Sequence, residues 1–296
     1  MNNEKKYDAI LLAGEGKSSY KVHHQNKAFL TINGACLIHY IVETLQKVES
    51  IQDIYVVGPK EKLQQALLSG RIDLKSPKRI HIVEQKTTLY QNIWHTFLQS
   101  LQDENAEAPN TKSHRDRAVL IVPCDAPLMT PQEVEYFISH ADMEKYDLVS
   151  GLVSREKLQH FYPQKKTLGI KMAYIHFKEA SFRINNLHMV KPLCIENREY
   201  IQKMYQYRYQ RNFKNLILFS LSLFGKDKLR HYKCYIGLQL CLFFANLGLD
   251  SLVDYFRNLN PRKELEKTIS TIMKTRFKTL EVPYPGAALD IDNAKD

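Results

Sequence analysis

Through the first 190 residues, short apolar, β-branched runs alternate with amphipathic stretches of helical period, and few architectures accommodate that alternation. Strands are predicted at Asp8–Leu12, Asp53–Val57, Arg79–Val83, Ala118–Pro123, Asp147–Leu152, Lys171–Phe177 and Leu187–Val190, and helices at Ala35–Val48, Lys60–Ser69, Leu89–Leu101 and Pro131–Ser139. Such βαβ units predict an α/β fold with a mainly parallel central sheet. The last helix carries its own start signal. Thr130 can cap it, Pro131 occupies a first-turn position that tolerates proline, and Glu133 can return the capping hydrogen bond.

After residue 195 the pattern changes. From Arg198 to about Thr275 it is helical throughout, with apolar runs at Leu216–Phe224 and Ile236–Leu249 that fall short of a membrane span. Strand character returns at Phe277–Val282. The expected organisation is therefore a core over 1–195, a basic α-helical insertion over 196–275, and a segment over 276–296 that rejoins the core. The formal charge of +10 is concentrated in the insertion, where nine Lys or Arg face two acids between Arg198 and Lys233. A solvated basic face, an anionic membrane surface, nucleic acid and a phosphorylated substrate are all compatible with that window.

Five scattered cysteines without a CxxC pair exclude a zinc site or redox dithiol of the usual spacing. The polar N-terminus runs straight into the first strand, which predicts a cytoplasmic chain without a signal peptide.

Chemistry concentrates at strand ends. The first strand breaks into Leu12-Ala13-Gly14-Glu15-Gly16-Lys17-Ser18, a loop whose backbone N–H groups can cradle phosphates, and Lys27 follows as a cation beside it. The fourth strand runs into Pro123-Cys124-Asp125-Ala126-Pro127-Leu128, which sets Asp125 at the carboxyl edge of a parallel sheet, where ligands of open α/β folds bind. Asp290 and Asp292, two residues apart, share one face if extended. A carboxylate from each locus is the kind of set that holds Mg²⁺ together with substrate phosphates.

These motifs, in this order, resemble the MobA-like NTP-transferase family. Leu12-Ala13-Gly14, Lys27 and Ile32-Asn33-Gly34-Ala35-Cys36-Leu37-Ile38 are similar to its opening, Ile54-Tyr55-Val56-Val57-Gly58 to its second strand, Pro123-Cys124-Asp125-Ala126-Pro127-Leu128 to its metal-binding turn, and Asp290-Ile291-Asp292 to its closing segment. The likeness covers about residues 7–190 and 276–296. LAGE in place of LAGG, with a helical insertion before a terminal Pro-Tyr-Pro, is similar to a bacterial branch of that family.

The resemblance implies a Rossmann-like three-layer sandwich of glycosyltransferase-A type with an α-helical insertion, and a Mg²⁺-dependent nucleotidyltransferase that moves an NMP from an NTP to a phosphorylated small-molecule acceptor. It implies catalytic roles for Lys27 and Asp125, a metal held by Asp125, Asp290 and Asp292, and a nucleotide bound by residues 12–18, Lys27, Thr87, Gln91 and Asn92. Arg183, Asn185 and Asn186 are the implied acceptor contacts, and nucleic acid is not an expected partner. The family's loop arginine is replaced by Ser18 or Ser19, and its second glycine by Glu15. A non-catalytic nucleotide or nucleotide-sugar scaffold, using the insertion for partner or membrane contact, is an alternative, as is a glycosyltransferase of the same fold.

Overall fold

The computed structural model describes residues 5–15, 26–68, 76–101, 113–163, 169–170, 172–198, 200–201 and 229–291. The chain opens with β1 (Tyr7–Leu12), a short hairpin of β2 (Thr31–Ile32) and β3 (Ala35–Cys36), and α1 (Leu37–Gln46). Then come β4 (Ile51–Gly58), α2 (Lys60–Leu68), β5 (Ile80–Glu84), α3 (Leu89–Ser100), β6 (Val119–Pro123) and α4 (Pro131–His140). The next stretch holds β7 (Leu148–Ser154), α5 (Arg155–Leu158), β8 (Ile175–His176) and β9 (Ser181–Val190). Last are α6 (Leu229–Asn246), α7 (Asp250–Phe256), α8 (Arg262–Met273) and β10 (Phe277–Glu281).

One sheet runs in the order β5-β4-β1-β6-β9-β7-β10, with β8 paired to β9. β9 is antiparallel to both β6 and β7, and the other pairings along that order are parallel. The near-continuous apolar runs follow from this, because a strand covered on both faces has no polar side to alternate with. Ala9 and Leu11 of β1 point into one core, with Ile41 and Leu45 of α1, Leu63 of α2 and Phe137 of α4. Ile10 points into the other, with Phe97 of α3 and Ile272 and Met273 of α8. Phe97 and Phe137 are fully buried, and each contributes on the order of 2–3 kcal/mol through the apolar area it removes from water. The sandwich is thus three layers, as the resemblance implies.

Two local expectations are corrected. Helix α1 starts at Leu37 rather than Ala35, because Asn33 and Gly34 take positive φ (50° and 81°) and turn the chain into a two-residue hairpin. The strand expected over Lys171–Phe177 is reduced to Ile175–His176, whereas β9 begins at Ser181, six residues earlier than its apolar run. Asn185 and Asn186 hid that extension. Asn186 has φ 59°, and the β7–β9 register shifts between Ser150 and Leu152, so the polar pair sits at an irregularity inside the strand.

The cap of α4 follows the expectation and adds a partner. Thr130 Oγ1 accepts from Glu133 N at 3.2 Å, and the Thr130 N–H favours the charged Glu133 carboxylate in return. That carboxylate also accepts from Ala287 N at 2.9 Å, 154 residues away, and is wholly buried. Of the two apolar runs in the insertion, Leu216–Phe224 lies outside the described residues and Ile236–Leu249 begins within α6. Among the described residues no helix is long and apolar enough to cross a membrane.

Burial pushes the Glu133 carboxyl up to about 7 from an ordinary 4.5, against the Ala287 N–H bond that favours its charged form. The folded chain therefore retains a proton that the unfolded chain releases. This contribution is fully present below pH 4.5 and is lost as the pH rises through about 7. In Glu133→Gln the amide oxygen still accepts from Ala287 and nothing titrates. Its stability relative to wild type, measured by urea unfolding, is expected to grow by roughly 2–3 kcal/mol between pH 4.5 and pH 8. A constant difference across that range would refute a neutral buried Glu133.

Candidate active site

β1 delivers the loop to the carboxyl edge of the sheet. Ala13 N donates to Val57 O at 2.8 Å, and Cys124 N donates to Leu12 O at 3.2 Å, so the chain leaves the strand held on both sides. Two glycines permit the close approach. A Cβ at Gly58 would lie 2.7 Å from the Ala13 carbonyl oxygen, and one at Gly14 would press on Asn92 Nδ2 at 3.1 Å and Gln85 Oε1 at 3.3 Å. Gln85 then accepts from Glu15 N at 2.6 Å. The Glu15 carboxylate, out of place in a phosphate loop, is drawn toward α2, where Lys62 Nζ donates to it at 3.0 and 3.3 Å. Gly16, Lys17 and Ser18 lie outside the described residues.

Asn26, which sequence reasoning missed, fastens the loop to the turn that carries Lys27. Its Nδ2 donates to Ala13 O at 2.9 Å and its Oδ1 accepts from Ala28 N at 3.0 Å, capping the short 3₁₀ turn Lys27–Phe29. An asparagine directly before a lysine turn was the available signal. Lys27 Nζ then reaches Asp125 Oδ2 at 2.8 Å, and the two side chains keep only 12% and 17% of their surface. The neighbouring Cys124 is buried. Burial raises its thiol well above the ordinary range, so it stays protonated.

The closing segment comes back to the same edge. Gly286 packs so tightly on the Leu128 carbonyl that a Cβ would lie 2.1 Å from it. Asn186 Nδ2 donates to Ala287 O at 3.0 Å, Arg183 Nε to Ala288 O at 2.8 Å, and Ile291 N to Asp125 O at 2.9 Å. Asp290 is thereby brought beside Asp125. Its Oδ1 accepts from Arg183 Nη2 at 2.5 Å. Arg183 thus spends its guanidinium on orienting a carboxylate and the chain around it. Of the other expected acceptor residues, Asn186 borders the cavity described below, whereas Asn185 is fully buried against Gly151 and does not.

At the start of α3, Thr88 Oγ1 accepts from Gln91 N at 3.2 Å and Asn92 Oδ1 from Lys86 N. Thr87, Thr88 and Asn92 line the cavity, while Gln91 is exposed outside it. The cavity encloses about 600 Å³ and opens at Gly14, Lys27, Lys86, Asp125, Asn186 and Asp290. Asp125 and Asp290 offer hard carboxylate oxygens, a donor chemistry that suits Mg²⁺ and lacks the thiolate and imidazole that favour zinc. Asp292 lies outside the described residues. Among those described, no three His, Cys, Asp or Glu side chains converge, so the fit to Mg²⁺ is that of two carboxylates, with the remaining ligands left to water and phosphate.

Comparison with known proteins identifies the family. A family model, the MobA-like NTP transferase domain, matches residues 9–218. The chain is similar in fold to a hypothetical transferase from Thermus thermophilus, at 18% identity and a TM-score of 0.65, covering 98% of this chain and 99% of that one. It is also similar to 4-diphosphocytidyl-2C-methyl-D-erythritol synthase from Anaerococcus prevotii, at 13% identity and a TM-score of 0.44, covering 99% and 93%. CMP:2-keto-3-deoxy-manno-octonic acid synthetase complexed with CTP is similar at 12% identity and a TM-score of 0.43, covering 94% and 90%. No curated protein matches the chain.

Because Asn26 joins two segments through a cap and an otherwise unpaired carbonyl, Asn26→Ala is expected to cost about 1–2 kcal/mol in urea unfolding at an unchanged m-value. A loss within experimental error would show that the clasp contributes nothing.

Proposed function

We propose, from the premise that this chain belongs to the MobA-like NTP transferase domain family and is a nucleotidyltransferase, that its acceptor is a phosphorylated small molecule and that its reaction depends on Mg²⁺. The observation that carries the reading is the convergence of Lys27, Asp125 and Asp290 on one sheet edge, where all three line one cavity.

In this reaction an oxygen of the acceptor phosphate attacks the α-phosphorus of the NTP. One P–O bond forms, the bridge between the α- and β-phosphates breaks, and pyrophosphate leaves with the electron pair. Little covalent work falls to the protein, so positioning and charge balance dominate the catalysis. The loop backbone after Leu12 cradles the phosphates, Lys27 balances charge on them, and Thr87, Thr88 and Asn92 face the base. Asp125 and Asp290 would hold Mg²⁺, which would neutralise charge on the polyphosphate and the departing pyrophosphate. The Lys62 contact with Glu15 turns an unfavourable carboxylate toward α2.

A contact role for the insertion is supported by a separate observation. Phe243, Leu247 and Tyr255 on and beside α6 and α7 are 57%, 57% and 70% exposed, next in the chain to the basic window. Such a face suits a membrane surface or a protein partner.

Pyrophosphate release from CTP, GTP, UTP and ATP, measured with Mg²⁺ and a panel of phosphorylated acceptors, is expected to reveal at least one productive pair. Silence across a broad panel would defeat the enzymatic reading. Asp125→Asn, which keeps the side chain's shape, should lower kcat by at least about 10²-fold while thermal melting stays close to wild type. Lys62→Ala releases Glu15 toward the phosphates and should raise the KM for NTP about fivefold with little change in kcat, as expected for about 1 kcal/mol of repulsion in a hydrated site.

A further inference from the structure

The cavity that opens at Lys27 and Asp125 extends far beyond what a nucleotide's phosphates require. It passes beneath five adjacent strands, β1, β6, β9, β7 and β10, touching Leu12, Ile121, His188, Leu148 and Phe277 in turn. Four inter-strand spacings make that span about 19 Å. Charge is confined largely to the mouth. The body is walled by Ile93 and Trp94 of α3, Ile269 of α8, and Ile121, Leu148 and Phe277 of the sheet.

Most polar groups in that body are already engaged. Ser150 Oγ and His188 Nδ1 are hydrogen-bonded to each other at 2.9 Å. His188 lies deep in the protein yet keeps accessible surface, as a side chain facing a cavity does, and burial pushes it down to about 4, so it is neutral at pH 7. Thr279 Oγ1 is held by Arg262 and Glu266. The Arg198 guanidinium lies over the Trp94 ring, 4.0 Å from its centroid, and its buried Nη1 makes no hydrogen bond among the described residues. A polyhydroxylated acceptor entering this space would exchange water for apolar walls with few new partners. An alkyl or polyprenyl chain would lose nothing.

We infer that the acceptor is an amphiphile, a phosphate monoester whose head meets the nucleotide at the mouth and whose apolar tail fills the cavity between the sheet and helices α3 and α8. The inference rests on the nucleotidyl-transfer reading for the identity of the head group, and on the cavity alone for the tail.

Trp94 is the single tryptophan of the chain and lies in the cavity wall, so its emission reports occupancy directly. Titrating the full chain with ethyl, hexyl, decyl and tetradecyl phosphate, each below its critical micelle concentration, should give affinities that rise about fourfold per methylene and level off once the cavity is full, with Trp94 emission changing in step. Ile269→Phe, which thrusts a ring into the same space and leaves Trp94 the single tryptophan, should flatten the gain with chain length. If that variant does not fold, the wild-type series still decides the matter. An affinity that does not change between ethyl and decyl phosphate, or binding without a Trp94 response, would overturn the inference.

A parallel pyrophosphate assay with decyl phosphate and glycerol phosphate separates the two readings. Release with glycerol phosphate and a flat binding series preserves nucleotidyl transfer and removes the tail site. Chain-length-dependent binding without release from any NTP does the reverse.

Discussion

A buried hydrogen bond between Ala287 N–H and the Glu133 carboxylate underlies the arrangement of the whole active edge. Residues 286–291 make no strand pairing in the sheet, so side chains and isolated backbone contacts must hold them there. Glu133 anchors one end, Asn186 and Arg183 take the Ala287 and Ala288 carbonyls, and Ile291 N–H closes on Asp125. The cost is a carboxyl group wholly removed from water, which the fold meets by favouring its neutral form. Gly286 makes the approach possible, since any side chain there would run into the Leu128 carbonyl.

At the Lys27 end the same economy appears in another form. Asn26 carries no charge, yet it links the Ala13 carbonyl to the turn beneath Lys27 and so fixes where the cation stands relative to Asp125. Glu15 occupies a position where a carboxylate would repel phosphates, and Lys62 draws it toward α2. Both solutions use residues on elements other than the one they serve. A loop of this kind depends on its neighbours for both shape and charge.

That dependence explains what the sequence discloses. The parallel sheet was legible because strands covered on both faces must be apolar along their length, and the place of Asp125 at the sheet's carboxyl edge was legible because it follows directly on a strand. The antiparallel β9 was only half visible, since Asn185 and Asn186 interrupt its apolar pattern while a bulge and Gly151 accommodate them in space. Glu133 reads as half of a capping box, and nothing local announces its second partner, the Ala287 N–H, 154 residues distant. Arg183 reads as an acceptor contact, and its pairing with Asp290 was hidden because that residue lies in a segment that only tertiary structure brings near. In each case the missing information was long-range pairing, which residue spacing does not encode.

The strand order has a consequence for how the chain reaches this state. β1 is made first but sits in the middle of the sheet, where one flank waits for β4 and the other for β6, more than a hundred residues later. The β7 edge is completed only by β10, where Leu148 pairs with Phe277. Contacts so distant in sequence require large loops to close before they return any energy, which places folding at the slow end of the range for domains of mixed structure. While β1 waits, its Ile10-Leu11-Leu12 run is an uncovered apolar edge, and during synthesis that segment is the part of the chain most in need of protection from aggregation.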